Sequence, residues 1–302
     1  VKAGGIMNEN RKILCADVGG TKIKAALVNE KGQVEGFMEM PTEAHLGGPH
    51  VMSNLKKMLS TYTGYEAIGI STAGQVDSEK GEILYANENI PRYTGTKVKE
   101  ILEEAFQVPV KVENDVNAAA LGEAFFGAGR EEKDLLMLTY GTGVGGALLF
   151  GKEIYKGRDG IAGEFGHMIT HPEGTLCNCG QKGCYEVYAS TTALVRNAKA
   201  LDEHLTDGKE IFKAITQGRE EVRDLLEAWA KEVSYGLVNL IHIFNPSLIL
   251  LGGGLLEQPL AFELIERETK KRTMESFRKV VLKNASLGNQ AGLLGAASLH
   301  LK

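Results

Sequence analysis

Three cysteines within eight residues, Cys177, Cys179 and Cys184, form the densest group of reactive side chains in the sequence. With His167 ten residues upstream they offer three thiolates and an imidazole. Such a set closes a tetrahedron around a structural Zn2+ and leaves no position for a reacting water. The C-x-C spacing is tighter than the usual C-x2-C, and His171 competes with His167 as fourth ligand. Free surface thiols are the bland alternative.

Glycine suggests a second chemistry. The stretch LLMLTYGTGVGGALLFGKEIY, residues 135–155, carries G-x-G-x-x-G at Gly141, Gly143 and Gly146. A chain with 37 glycines meets short templates by chance, so context decides. A dinucleotide fingerprint needs its glycines to open a helix whose N-terminus meets the pyrophosphate. Here ALLFGKEIY continues as a strand with its own GK turn, so an NAD site is excluded. An earlier stretch, KILCADVGGTKIKAALV, has the same plan of apolar strand, glycine turn and second apolar strand. The two lie roughly 125 residues apart, an internal echo. LLGGGLLE, residues 250–257, adds a third glycine turn after a strand. None has Walker A spacing. Turns without Cβ atoms let backbone N–H groups close around an anion. Gly141, Thr142 and Gly143 are therefore candidate phosphate contacts, and Gly252, Gly253 and Gly254 suit the passage of an adenine or ribose. Each turn alone would read as a tight turn; three after strands in one chain point to a nucleotide.

Two acids stand at strand ends. Asp17 precedes Gly19 and Gly20, where a carboxylate suits Mg2+ or its waters beside phosphates. Asp115 follows the alternating strand VPVKVEN. It reads equally as a general base for a hydroxyl or, like Asn114, as the cap of a helix starting near Asn117. Glu113 supports the turn.

The elements that must position these groups alternate strand and helix, an α/β pattern. Strands are expected at 12–16, in YEAIGIST, VPVKVEND, SLILLGGG and KVVLK; helices at 50–62, in GTKVKEILEEAF and VNAAALGEAFFG, and from about Leu260. A long helix, EVRDLLEAWAKEVSYGLVNLIHIF, should stop near Pro246. His242, Trp229 and Phe244 read as core. The chain has 302 residues, 43% hydrophobic and 24% charged, with formal net charge −5. That balance suits a globular protein of one or two domains and gives no general attraction to nucleic acid or membrane. No apolar run approaches a membrane span and no signal peptide is evident. Met7 is a candidate start. With clustered cysteines, the expected compartment is the cytoplasm.

In order, DVGGTK, END, GTGVGG, GEFGH, CNCGQKGC and LGGG resemble the ROK family of sugar kinases, open reading frames and repressors, over nearly the whole chain from about Arg11. The resemblance implies an actin-like ATPase (ribonuclease H-like) fold, two related α/β domains around a cleft. It places residues 1–115 plus 288–302 in a small domain and 116–287 in a large one with the zinc-binding loop and nucleotide site. It implies ATP-dependent phosphorylation of a hexose at the 6-hydroxyl, glucose or a glucoside first, with N-acetylmannosamine, N-acetylglucosamine and fructose as rivals. Asp115 becomes the base, and Gly19, Gly20, Thr21 and Lys22 meet the phosphates. Glu164, His167 and Glu186 grip the sugar, with Asn114, Gly74 and Asn87 beside it. ATP, Mg2+ and structural Zn2+ are the implied cofactors, and a homodimer or homotetramer the implied assembly. The family's DNA-binding members carry a helix-turn-helix ahead of the first strand, and about a dozen residues are too few for one. A sugar sensor without catalysis is the rival of another class.

Overall fold

The computed structural model describes residues 11–86 and 88–301; Met7 and Asn87, singled out above, lie outside them. In chain order the elements are β1 (Lys12–Val18), β2 (Lys22–Asn29), β3 (Val34–Pro41), α1 (Gly48–Leu59), β4 (Ala67–Thr72), β5 (Gln75–Asp77), β6 (Glu82–Tyr85), α2 (Val98–Phe106), β7 (Val110–Asn114) and α3 (Asp115–Phe126). There follow β8 (Leu135–Tyr140), β9 (Val144–Phe150), β10 (Glu153–Ile154), α4 (Glu186–Ala189), α5 (Thr191–Leu201), α6 (Gly208–Thr216), α7 (Glu220–Phe244), β11 (Leu248–Gly252), α8 (Pro259–Arg272), β12 (Val281–Asn284) and α9 (Ala291–Ser298).

The echo in the sequence is an echo of topology. One five-stranded sheet runs β3-β2-β1-β4-β7 and the other β10-β9-β8-β11-β12. In each, the first strand pairs with its hairpin neighbour on one side and with the fourth strand, in parallel, on the other. Each sheet is therefore the order third, second, first, fourth, fifth, and β5 with β6 forms a separate small ribbon.

Contacts divide the described residues into two units. The first holds those up to Lys133, Leu149–Ala162 and those from Ser286; the second holds Asp134–Leu148 and Gly163–Ala285. Helix α3 and residues 149–162 thus group with the first unit, beyond the 115/116 boundary expected from the sequence.

In the first unit β1 is apolar on both faces because both faces are covered. Leu14, Ala16 and Val18 join a core with Val51, Leu55 and Leu59 of α1 and Val98 and Leu102 of α2. Ile13 and Cys15 face Leu293, Leu294, Ala296 and Ala297 of α9. That second face is packed backbone to backbone. A Cβ at Gly69 of β4 would overlap the Ala296 carbonyl, one at Gly122 of α3 the Ala291 carbonyl, and one at Gly295 of α9 the Ala118 carbonyl. Buried Glu123 completes the join: its carboxylate accepts from the N–H groups of Ala128, Ser286 and Leu287 and from the Ser286 hydroxyl.

The second unit is built on α7. Trp229 is buried and donates to the carbonyls of Ala189 and Ser190 at 3.0 and 3.1 Å. Helix α7 ends at Phe244, where Asn245 takes a left-handed conformation (φ 46°) one residue before Pro246. His242 is half-buried and accepts from the Met274 N–H, a satisfied histidine as expected. No helix among the described residues is long and apolar enough to cross a membrane.

Because backbone atoms meet at Gly295, even a methyl cannot be absorbed there by side-chain motion. Gly295→Ala should lower unfolding stability by about 1–3 kcal/mol, the usual cost of overpacking, read as a lower urea midpoint at unchanged slope. An unchanged midpoint would contradict the packing described.

Candidate active site

At the join of β7 and α3 the backbone passes from strand to helix in one residue. Asn114 takes the cap position (φ −59°, ψ 149°), and its side-chain oxygen accepts from the N–H groups of Val116 at 2.9 Å and Asn117 at 3.1 Å. The helix starts at Asp115, two residues earlier than expected. Asn114 Nδ2 donates to the Gly74 carbonyl and to Asp115 Oδ1, both at 2.9 Å. Asn114 is thus fully engaged in holding its neighbours and supplies the cap, while Asp115 Oδ1 also accepts from the Val116 N–H at 2.9 Å. Gly74 reaches this corner with φ 101°, where a side chain is strained. Buried Glu113 supports the turn as expected, accepting from the Asn114 N–H and from Asn117 Nδ2, both at 3.0 Å.

The Asp115 carboxyl is packed closely enough that desolvation, reinforced by the nearby charge of Asp17, pushes its pKa up to about 6. Bonds from the Val116 N–H and Asn114 oppose that rise without cancelling it. Such a carboxylate is mostly ionised at neutral pH yet a better proton acceptor than an ordinary aspartate.

Asp17 is held from three sides. Lys24, Asp17, Ser71 and Glu113 stand in one row across β2, β1, β4 and β7. The fully buried Ser71 hydroxyl donates to Asp17 Oδ1 at 2.7 Å, and Lys24 Nζ lies 3.6 Å from Oδ2. A Cβ on Gly292 of α9 would come within 2.7 Å of the carboxyl. Ser71, Lys24 and Gly292 were not singled out from the sequence; strand register brings the first two to Asp17 and the packing of α9 brings the third. In the following turn the Gly19 N–H closes the hairpin onto the Lys22 carbonyl at 3.0 Å, while Gly20 faces open space. Lys22 pairs with Glu39 across the β2–β3 ladder. Asp17, residues 19–22, Lys24, Phe37 and Asn289 line an open groove.

In the second unit β8 and β11 run parallel with Gly252 opposite Thr139, so their glycine turns leave adjacent strand ends. Gly253 (φ 129°) lies against the Tyr140 carbonyl, where a Cβ would overlap it. Gly141 and Gly254 face open space, and Thr142 sits between Gly141 and Gly143 in the tight turn closed by the Gly141 N–H on the Gly143 carbonyl. Gly143 also makes room for an acid: a Cβ there would overlap the Glu186 carboxylate, which accepts from the Val144 N–H at 3.3 Å.

Glu186 opens α4, and the residue before it anchors it. The Tyr185 ring lies against α7 at Gly236, and its hydroxyl donates to the Val233 carbonyl at 2.6 Å. His167 sits between two acids, with Nε2 3.9 Å from Glu164 and Nδ1 4.0 Å from Glu186. The three residues expected at the sugar are therefore together.

Beside them the ligand atoms of His167, Cys177, Cys179 and Cys184 all lie within 4.8 Å of one another. Cys179 and Cys184 sulfurs are 3.5 Å apart, and Cys177 Sγ is 3.8 Å from His167 Nδ1. A tetrahedral ion with metal–sulfur bonds of about 2.3 Å sets its sulfurs about 3.8 Å apart, so the four donors fit a closed, thiophilic site. His171 is excluded from it: its ring stacks on Tyr188 with centroids 4.0 Å apart, and Nε2 lies 3.3 Å from Glu232.

The ROK family model matches residues 13–302. The chain belongs to the ROK family. Among ROK relatives, the glucokinase of Streptomyces coelicolor is 36% identical over 307 residues, 94% of this chain and 95% of that protein. The β-glucoside kinase of Listeria monocytogenes is 32% identical over 294 residues, 94% and 96% of the two chains. The crystal structure of a ROK family glucokinase from Streptomyces griseus with glucose and AMPPNP superposes with a TM-score of 0.79 at 33% identity, covering 95% of this chain and 98% of that one. The repeated strand order is accordingly that of the actin-like ATPase fold.

Folding raises the Asp115 pKa, so the protonated form is favoured. That contribution is complete below about pH 4 and is lost as pH rises through about 6. Asp115→Asn, which keeps an acceptor for Asn114 and the Val116 N–H, should therefore be more stable than the natural chain above pH 6, by about 1–3 kcal/mol. Urea unfolding at pH 4 and pH 8 measures this; an equal difference at both would contradict it.

Proposed function

We propose that the chain phosphorylates a hexose at its 6-hydroxyl from Mg·ATP, with glucose or a glucoside as substrate and Asp115 as general base. The observation that carries this reading is the carboxyl of Asp115, relieved of capping by Asn114 and raised in basicity by its surroundings. The chain is an ATP-dependent sugar kinase of the ROK family, supported by its kinase relatives across their whole lengths. In the reaction the 6-hydroxyl gives its proton to Asp115 as its oxygen bonds to the γ-phosphorus. The bond from phosphorus to the β–γ bridging oxygen breaks, and its electron pair leaves with ADP.

The remaining groups serve that exchange. Amides of the 19–22 and 141–143 turns, where Gly20 and Gly141 face open space, stabilise the charge that develops on the phosphoryl oxygens. Residues 252–254 pass the nucleoside. Asp17, fixed by Ser71 and Lys24, suits the waters of the Mg2+ that accompanies ATP. Glu164, His167 and Glu186 accept from and donate to sugar hydroxyls. The thiolates and His167 hold structural Zn2+, which fixes the loop between His167 and Glu186 and takes no part in bond making. A thiolate set of this kind requires a reducing compartment, in keeping with the cytoplasm.

The test is ADP release with Mg·ATP against glucose, mannose, fructose, N-acetylmannosamine, N-acetylglucosamine and cellobiose. One sugar should turn over, with kcat falling about 10²- to 10⁴-fold in Asp115→Asn. For the natural chain kcat/KM should rise with pH through about 6 and then level. No turnover on any of the six, in folded metal-containing protein, would leave the sugar sensor as the better reading. Elemental analysis should find one zinc per chain. Cys184→Ser should lose it and lower both Tm and sugar affinity, whereas His171→Gln should keep it.

A further inference from the structure

Thr42, which neither motif nor spacing marks, sits one residue beyond β3 and is fully buried. Its hydroxyl donates to the Gly19 carbonyl at 2.6 Å, and its backbone N–H donates to the Thr21 carbonyl at 2.9 Å. One residue therefore grips the two carbonyls that flank Gly20. A trans peptide is planar, with its N–H directed opposite to its C=O. Drawing the Gly19 carbonyl toward Thr42 turns the Gly20 N–H away from Thr42, and drawing in the Thr21 carbonyl does the same for the Lys22 N–H. The added Cβ of Gly20 would meet nothing within 4 Å, so the space beside that peptide is open. It belongs to the groove lined by Asp17, the turn itself and Lys24.

We propose that Thr42 is the positioning residue of the first glycine turn, setting the Gly20 and Lys22 amides to receive a phosphate of the bound nucleotide. The assignment rests on the kinase reading above for the identity of the anion, and on hydrogen-bond geometry for the rest. Without the Thr42 hydroxyl the Gly19 carbonyl loses its donor and its peptide is free to rotate. The amides would then have to be ordered by the nucleotide on each binding event, which weakens binding.

The experiment measures Mg·ADP affinity by calorimetric titration, beside sugar affinity and Tm, for the natural chain, Thr42→Val and Thr42→Ser. Thr42→Val keeps the shape and the backbone N–H and removes only the hydroxyl. It should weaken Mg·ADP binding about tenfold, the scale of one buried carbonyl left unpaired, with sugar affinity unchanged. Thr42→Ser should restore most of the loss. Unchanged Mg·ADP affinity in Thr42→Val overturns the proposal, as does a parallel fall in sugar and nucleotide affinity that Thr42→Ser does not repair. Because the readout is binding, it separates the two readings. A natural chain that binds Mg·ADP but phosphorylates no sugar defeats the kinase reading and still tests Thr42. One that binds no Mg·ADP overturns both.

Discussion

The first unit depends on bare backbone contact. Three glycines, Gly69, Gly122 and Gly295, let β4, α3 and α9 approach until carbonyls stand where methyl groups would otherwise be. A fourth, Gly292, lets α9 lie against the Asp17 carboxyl. With no side chains between these elements, the start of α3 and the end of β1 cannot drift. Asp115 and Asp17 inherit that rigidity, and so does the electrostatic influence of one on the other. A pair of acids on flexible supports would relax apart; here the relaxation would have to move main chain.

Acid side chains recur at these joints, and nearly all are paid for by backbone or amide donors rather than by cations. Asn114 satisfies two amides of α3 and still donates to Asp115 and Gly74. Glu123 takes four donors, three of them main-chain. Glu186 lies over the peptide at Val144, where Gly143 makes room. Neutral donors of this kind hold a carboxylate in place without the neutralising partner that would weaken it as a base. At Asp115 the balance of burial and bonding leaves the proton affinity raised.

Much of this was legible in the sequence. The echo between residues 12–28 and 135–150 reflects a true duplication of strand order, because a strand, a glycine turn and a second buried strand leave a strong apolar pattern. The thiol cluster was legible because metal geometry constrains spacing. What escaped reading has physical reasons. β3 exposes most of its residues on both faces, so it shows no alternation. Ser71, Gly292 and Thr42 act on residues far away in the chain, through strand pairing or helix packing that no local pattern encodes. The missing Cβ of Gly143 makes room for Glu186, a use that the glycine pattern itself does not show. His171 competed with His167 as fourth ligand in the sequence, and the contacts of His171 with Tyr188 and Glu232 set it apart.

Helix α9 closes one face of the first unit's sheet although it follows every other element described. Ile13, Cys15, Ala26 and Val28 are covered by residues 293–297, so during synthesis that apolar face waits for the roughly 265 positions that separate Val28 from Leu293. The second unit's residues all precede Ser286 and can pack before the first unit is complete. Vectorial synthesis thus leaves the nascent amino-terminal sheet half-dressed for about half a minute at ordinary elongation rates, an interval in which chaperones, or premature pairing with another chain, would compete for it.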